Sequence, residues 1–237
     1  MKRILIALVL LTMGLTTMAQ VLQKDMTVKS ETKPIQLSHD TFKSEQSTVD
    51  LYYLAHGTVV VSLNDGNRTW WIYVDPVLRN GDKDIDYANL PVADIILYTH
   101  DHFDHISPDA LEQHSDKHTV VYTAAACLPI LDQFKHLAEV KSLANGESVR
   151  IKDLLTITAV PAYNTTKGRE NFHPKGKGNG YMLTLNTKWT LYIAGDTEPI
   201  PEMAKFADKY DLQVALLPMN QPYTMTPDQV LQAAKML

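Results

Sequence analysis

The order of apolar runs along this chain predicts an α/β protein in which sheets pack face to face and helices lie outside them. Two observations carry that expectation. From Val49 to Val74 strand-like runs follow one another closely, and from Pro108 onward helical patterns are interspersed among further strands. A third observation places the chemistry: between Thr99 and Ser107 the chain reads Thr-His-Asp-His-Phe-Asp-His-Ile-Ser, directly behind the apolar run Ile95-Ile96-Leu97-Tyr98.

Lys2-Arg3, the apolar stretch Ile4 to Leu15 and Thr17-Met18-Ala19-Gln20 have the three parts of a secretory signal peptide with a small-residue exit at Ala19. The apolar core falls short of the roughly 20 residues of a spanning helix, and no cysteine follows it to take a lipid. Residues 1–19 are therefore expected to be removed, leaving a periplasmic or secreted protein without a membrane anchor. Residues 20–48 are polar and read as an N-terminal extension with room for one short strand. Residues 49–237 form the domain. Its strand-like runs are Leu51 to Ala55, Thr58 to Leu63, Trp70 to Val74, Ile95 to Tyr98, Thr119 to Tyr122, Leu154 to Val160, Tyr181 to Leu185, Leu191 to Ala194 and Val214 to Leu217. Asn64-Asp65-Gly66-Asn67 punctuates the second and third as a hairpin turn. Helical patterns fall at Pro108 to His114, Ala124 to Leu137, Pro199 to Lys209 and Pro227 to Leu237.

Without its first 19 residues the chain keeps 218, enough for one sizeable core. The formal charge of −5 falls to −7 once Lys2 and Arg3 leave, which offers no general attraction for nucleic acid or anionic membrane and points to a small-molecule substrate. Cys127, the single cysteine, lies in an apolar stretch and reads as a buried core thiol. No Gly-x-Ser-x-Gly elbow and no Gly-rich phosphate loop is present, so no competing nucleophile stands out. The oligomeric state is not legible.

Histidine and carboxylate at this density read as a metal site suited to Zn²⁺, with Mn²⁺ or Fe²⁺ fitting the same donors. The other reading is a histidine-rich surface loop. In extended chain His100 and His102 share a face and can approach one ion together. Asp104 and His105 fall in the turn before a helix that Ser107 can cap, with Pro108 first inside it, and could serve a second ion. Asp75-Pro76 and Gly195-Asp196-Thr197 each close a strand-like run, so their carboxylates can converge on the same edge. Asp196 is the next ligand candidate; otherwise it is a turn aspartate capping the helix that follows.

His56-Gly57-Thr58, Asp75-Pro76, the Thr-His-Asp-His-Phe-Asp-His segment and Gly195-Asp196-Thr197 together resemble the metallo-β-lactamase-fold hydrolase superfamily. Val160 to Asn164, Phe172 to Gly176 and Pro218 to Met225 are similar to its lactonase-like and phospholipase-like bacterial branch, and the resemblance covers Val49 to the last residue. It implies a four-layer αββα sandwich with the metals along one edge. It also implies that His100 and His102 hold one ion, Asp104 and His105 a second, and Asp196 bridges them. The reaction so implied is attack by a metal-held hydroxide on an ester, lactone or phosphodiester bond, with Asp104 orienting the hydroxide and receiving a proton.

Two departures bear on that transfer. Where the family supplies a third ligand to the first ion, often a histidine, this chain has Asn164, whose amide oxygen is a weaker donor; His173, nine residues later, is the replacement candidate. After a helix capped by Thr226, with Pro227 and Gln229 in its first turn, the sequence stops where the family pattern continues into another strand and a further histidine. The expectation is a domain lacking its C-terminal strand, with an incomplete second site. A catalytically impaired metal-binding homologue, or an iron-dependent oxidoreductase on the same scaffold, are the alternatives. Lys167, Arg169, Lys175 and Lys177 would form a cationic lip favouring an anionic substrate, or else an ordinary solvated loop. His56 either orients ligands or only shapes its turn, and Tyr163 and Tyr223 either line the pocket or edge the core. His39, His114, His118 and His136 are expected at the surface.

Overall fold

The computed structural model describes residues 5–10, 37–43, 47–185 and 189–237. In chain order its strands are β1 (Leu5–Leu10), β2 (His39–Lys43), β3 (Thr48–Ala55), β4 (Thr58–Asn64), β5 (Thr69–Val74), the short β6 (Arg79–Asn80) and β7 (Lys83–Asp84), and β8 (Ile95–Tyr98). Helix α1 (Pro108–His114) leads to β9 (Val120–Thr123), α2 (Leu128–Leu131), β10 (Glu139–Ser142), β11 (Ser148–Ile151), β12 (Leu155–Ala162), β13 (Gly178–Leu185) and β14 (Thr190–Ile193). Helix α3 (Phe206–Lys209), β15 (Leu212–Met219) and α4 (Pro227–Met236) complete it.

One sheet has the order β10-β9-β8-β5-β4-β3-β2 and the other β1-β15-β14-β13-β12-β11. Period-two alternation divides each strand between two cores. Val59, Val61, Leu63, Ile72, Val74 and Leu97 of the first sheet pack against Ile157, Tyr181, Leu183, Leu191 and Val214 of the second. Their neighbours Val60, Tyr73, Ile96 and Tyr98 face outward onto Leu111, Cys127 and Leu131. Met182, Tyr192, Ala215 and Leu217 of the second sheet face Met203, Phe206, Val230 and Ala233. The layers are helix, sheet, sheet, helix, the αββα sandwich. Parallel β5, β8 and β9 end together, which delivers Asp75 and the segment from Thr99 onward to one edge of the sheet.

The Ser107 side chain accepts from Ala110 N–H at the start of α1, and α4 opens with the full capping box of Thr226 and Gln229. Two helical expectations are corrected. The stretch Ala124 to Leu137 is a single 3₁₀ turn followed by the four-residue α2. Beyond it the Phe134 N–H reaches the Leu131 carbonyl and Lys135 that of Gln133, so the chain turns over while Phe134 and Leu137 still pack partly on the outer core. The Pro199 to Lys209 pattern starts at Pro201 as 3₁₀ helix and becomes α-helical only at Phe206. Strands β10 and β11 escape sequence reading because both are half-exposed and carry Glu139, Lys141 and Arg150.

Part of the apolar leader, Leu5–Leu10, lies as a strand parallel to β15. The rest of the expected signal peptide, its exit at Ala19 and most of the extension up to residue 36 lie outside the described residues. No helix among the described residues is long and apolar enough to cross a membrane.

Candidate metal centre

Asp75 closes β5 in a left-handed conformation, φ 45°, that an aspartate tolerates better than most side chains. Its buried carboxylate accepts the Thr99 N–H (2.7 Å) and hydroxyl (2.5 Å) and the His105 Nδ1–H (2.7 Å). The strand ends of β5 and β8 are thereby joined and His105 is turned so that its Nε2 points into the site. The hydroxyl of Thr99 has one hydrogen, and it is given to Asp75. The 2.9 Å contact from Thr99 Oγ1 to His100 Nδ1 is therefore donated by the imidazole, which leaves the His100 Nε2 lone pair facing His102 Nδ1 at 3.0 Å.

His173 arrives from the loop between β12 and β13 by the same logic. Its Nδ1 lies 3.2 Å from the Tyr223 carbonyl, which can only accept, so Nε2 carries the lone pair. That nitrogen is buried without a hydrogen-bond partner and stands 3.3 Å from Asp196 Oδ2. One ligating atom from each of His100, His102 and His173 falls within a 4.8 Å cluster, and His56, Asp104 and His105 make another. Asp196 Oδ2 touches both, 3.3 Å from His173 and 3.5 Å from His105.

Glu198, with its side chain wholly buried, holds the His173 loop. It accepts the N–H groups of Thr165 (2.8 Å) and Thr166 (2.6 Å) and pairs with Arg169 at 3.0 Å. Arg169 also donates to the Thr224 carbonyl, next to the carbonyl that orients His173. Asn164 donates from its amide to the carbonyls of Arg169 and Tyr223, and its Oδ1 is buried without a partner. It is His173 that joins the imidazoles of the first cluster, while Asn164 ties together the two loops behind them.

Electrostatics separate the clusters. Burial, reinforced by His105, pushes His100 well below the usual histidine range; burial and then His173 lower His102. Burial also opposes charge on His105, but Asp196 and Asp75 outweigh it and raise its basicity well above normal. The hydrogen bond from His56 takes Asp104 down to about 2. Asp196 stays ionised despite burial, because the basic His105 beside it favours its charge.

The cationic lip proves to be divided. Arg169 is spent on Glu198, and Lys175 donates to Glu202 and the Tyr163 hydroxyl, both at 3.1 Å. Lys177 lines the pocket above His100, His102 and His173. A larger hollow beside His56, His105 and Asp196 is walled by Val59, Ile193, Leu216 and Met219. Sequence reading left His56 undecided and brought the Asp75 carboxylate to this edge without giving it a partner, though each stands at a strand end or turn in a quoted motif. It missed Glu198, for which no local signal exists. The expectation of a surface position fails for His114, whose ring stacks on Tyr87 at 3.9 Å, while His39, His118 and His136 are exposed. Cys127 is buried, with its thiol pushed up to about 12.

Residues 70–237 match the Beta-lactamase superfamily domain. The chain is 30% identical over 196 residues to a UPF0173 metal-dependent hydrolase of Koribacter versatilis, covering 78% of each protein. Among solved structures, a protein of Parabacteroides distasonis provisionally assigned as a metal-dependent hydrolase is 39% identical, with a TM-score of 0.70 over 84% of this chain and 83% of that one. Igni18, a metallo hydrolase of Ignicoccus hospitalis, shares the fold with a TM-score of 0.58 at 24% identity, over 79% of this chain and 78% of its own.

Proposed function

The chain belongs to the beta-lactamase superfamily, as one of its metal-dependent hydrolases, and from that premise we propose that it cleaves an ester, lactone or phosphodiester bond in a small molecule, using one or two zinc ions. The reading is carried by one observation: Thr99 and Tyr223 occupy the outer nitrogens of His100 and His173, so that their inner nitrogens turn toward His102 Nδ1 and the Asp196 carboxylate, a donor set for one ion. His100, His102 and His173 would hold the first ion, Asp104 and His105 the second with His56 beside them, and Asp196 both.

When bound, such an ion supplies an acidified water as nucleophile and a Lewis acid for the scissile group. Around it the side chains divide the work. Asp75 fixes the His105 ring, and the Glu198–Arg169 pair fixes the loop that presents His173. Asp104, beside His56 and His105, would orient the water and receive a proton from it. We further propose that the domain spans 49–237 and acts in the periplasm or outside the cell after loss of residues 1–19.

Metal analysis of wild type against His102→Ala and Asp196→Ala, with hydrolysis of a panel of aryl esters, lactones and phosphodiesters, tests this. The reading expects tight metal uptake and turnover in wild type only. Equal metal content in all three proteins contradicts it.

A further inference from the structure

We propose that Lys177 and the Phe172–Tyr223 ring pair select the substrate, and that it is a small amphipathic anion: an apolar group laid on the rings and a carboxylate or phosphate facing the ammonium. The inference rests on the metal-centre reading above and adds the substrate class to it.

Among the described residues the exposed large hydrophobics are Val92, Phe103, Phe172, Tyr223 and Leu231, and three of them belong to the metal rim. Phe103, 89% exposed, sits between His102 and Asp104. Phe172 precedes His173 and lines the pocket over the first cluster; Tyr223 is the residue whose carbonyl orients His173. The two rings meet edge to face at 5.0 Å and still leave 37% and 48% of their residues in water. Exposed aromatic surface gathered at a site mouth, rather than scattered, marks a place where an apolar group is received.

The charge argument is independent of the rings. Of the basic residues in this loop, Arg169 and Lys175 are neutralised by Glu198 and Glu202, and Lys167 lines neither hollow. Lys177 has no ion-pair partner among the described residues, and it lines the hollow over the first cluster together with Phe172. The acids in that lining are Asp196, turned toward His105 and His173, and the exposed Asp101. A lysine left without a counter-ion beside a substrate pocket attracts and orients an anion. Phe172 of the ring pair and Lys177 are walls of one pocket, and Tyr223 extends the Phe172 surface at its edge, so a single ligand can reach both ring and ammonium.

The test is calorimetric binding of hexanoate, hexyl phosphate, hexan-1-ol and acetate to the zinc-loaded full chain, with zinc content measured throughout. Direct attraction of an anion to the metal is common to wild type and Lys177→Gln, so their ratio isolates the lysine. Lys177→Gln is expected to weaken hexanoate and hexyl phosphate about 10-fold and leave hexan-1-ol unchanged, the size of one charge-assisted contact at a partly exposed site. Phe172→Ala should weaken hexanoate while sparing acetate. Loss confined to one of the two anions identifies the headgroup as carboxylate or phosphate and supports the proposal. Binding of all four ligands within about 2-fold of wild type in both variants, at unchanged zinc content, overturns it and leaves the metal centre standing. A wild-type protein that takes up no zinc removes the reading on which it rests.

Discussion

The two histidine clusters lie side by side, joined through Asp196, yet they are prepared for a metal in opposite ways. In the first, the outer nitrogens of His100 and His173 are tied to Thr99 and Tyr223, burial keeps His100 and His102 from charging, and His173 Nε2 has no partner. In the second, His56 Nε2 lies 3.0 Å from Asp104 and 3.1 Å from His105, and His105 is strongly basic between Asp75 and Asp196. Hydrogen already fills that space. An ion entering the first cluster displaces one hydrogen shared between the uncharged rings of His100 and His102; in the second it must displace the proton of a strongly basic His105. The chain is therefore expected to bind two ions unequally, with the tighter site at His100, His102 and His173.

The comparison is broken most completely at the residue the clusters share. Asp196→Ala should lower metal affinity at both sites by more than about 100-fold and abolish turnover, because a ligating carboxylate outweighs the 10–100-fold typical of residues that merely support ligands. Titration of zinc into the variant, followed by a competing chelator, checks it. Next comes Gly57→Ala, which acts on the second cluster alone. A Cβ at that position would stand 2.6 Å from His105 Cε1, so the imidazole must move off its bond to Asp75. The expected outcome is loss of the weaker site by about 10–100-fold with the tighter one intact, read from the same titration.

Glu198→Gln tests the other side. It removes the charge that holds Thr165, Thr166 and Arg169, and through them the loop carrying His173, so the first cluster should weaken by about 10-fold while the second is spared. Amide exchange at Thr165 and Thr166 should rise in parallel. The smallest effect is on pH. Burial opposes charge on Glu198, but the Thr165 and Thr166 N–H groups and Arg169 more than compensate, and its pKa lies below the usual 4.5. Its contribution to loop stability is thus complete above the ordinary glutamate range and lost as pH falls through the lower folded value. Exchange of the Thr165 and Thr166 amides, once corrected for intrinsic rates, should accelerate only in that acid window for wild type and show no such step in Glu198→Gln.

Much of the scaffold was legible because burial on a pleated sheet writes itself as alternation: the runs ending at Val74 and Tyr98 are strands whose ends carry Asp75 and Thr99. The local part of the site was legible for the same reason, since His100, His102, Asp104 and His105 follow one strand end. What could not be read are pairings across the fold. His56 meets His105 across 49 positions and Asp75 meets it across 30, and neither distance leaves a trace in composition. The cationic lip shows the cost most clearly. Arg169, Lys175 and Lys177 look alike in sequence, and only the fold reveals that Glu198 and Glu202 cancel the first two. The Ala124 to Leu137 stretch failed differently: Leu131, Phe134 and Leu137 have helical spacing, and a turn satisfies that spacing as well as a helix does.

The contrast between the two clusters is tested most directly by ¹⁵N NMR of the imidazoles in the metal-free protein and through a zinc titration. His100 and His173 should be neutral Nδ1–H tautomers whose Nε2 resonances move with the first equivalent of zinc, ahead of any change at His105. Nε2–H tautomers at these two residues, or a first equivalent that perturbs His105 and leaves His100 and His173 untouched, would contradict it.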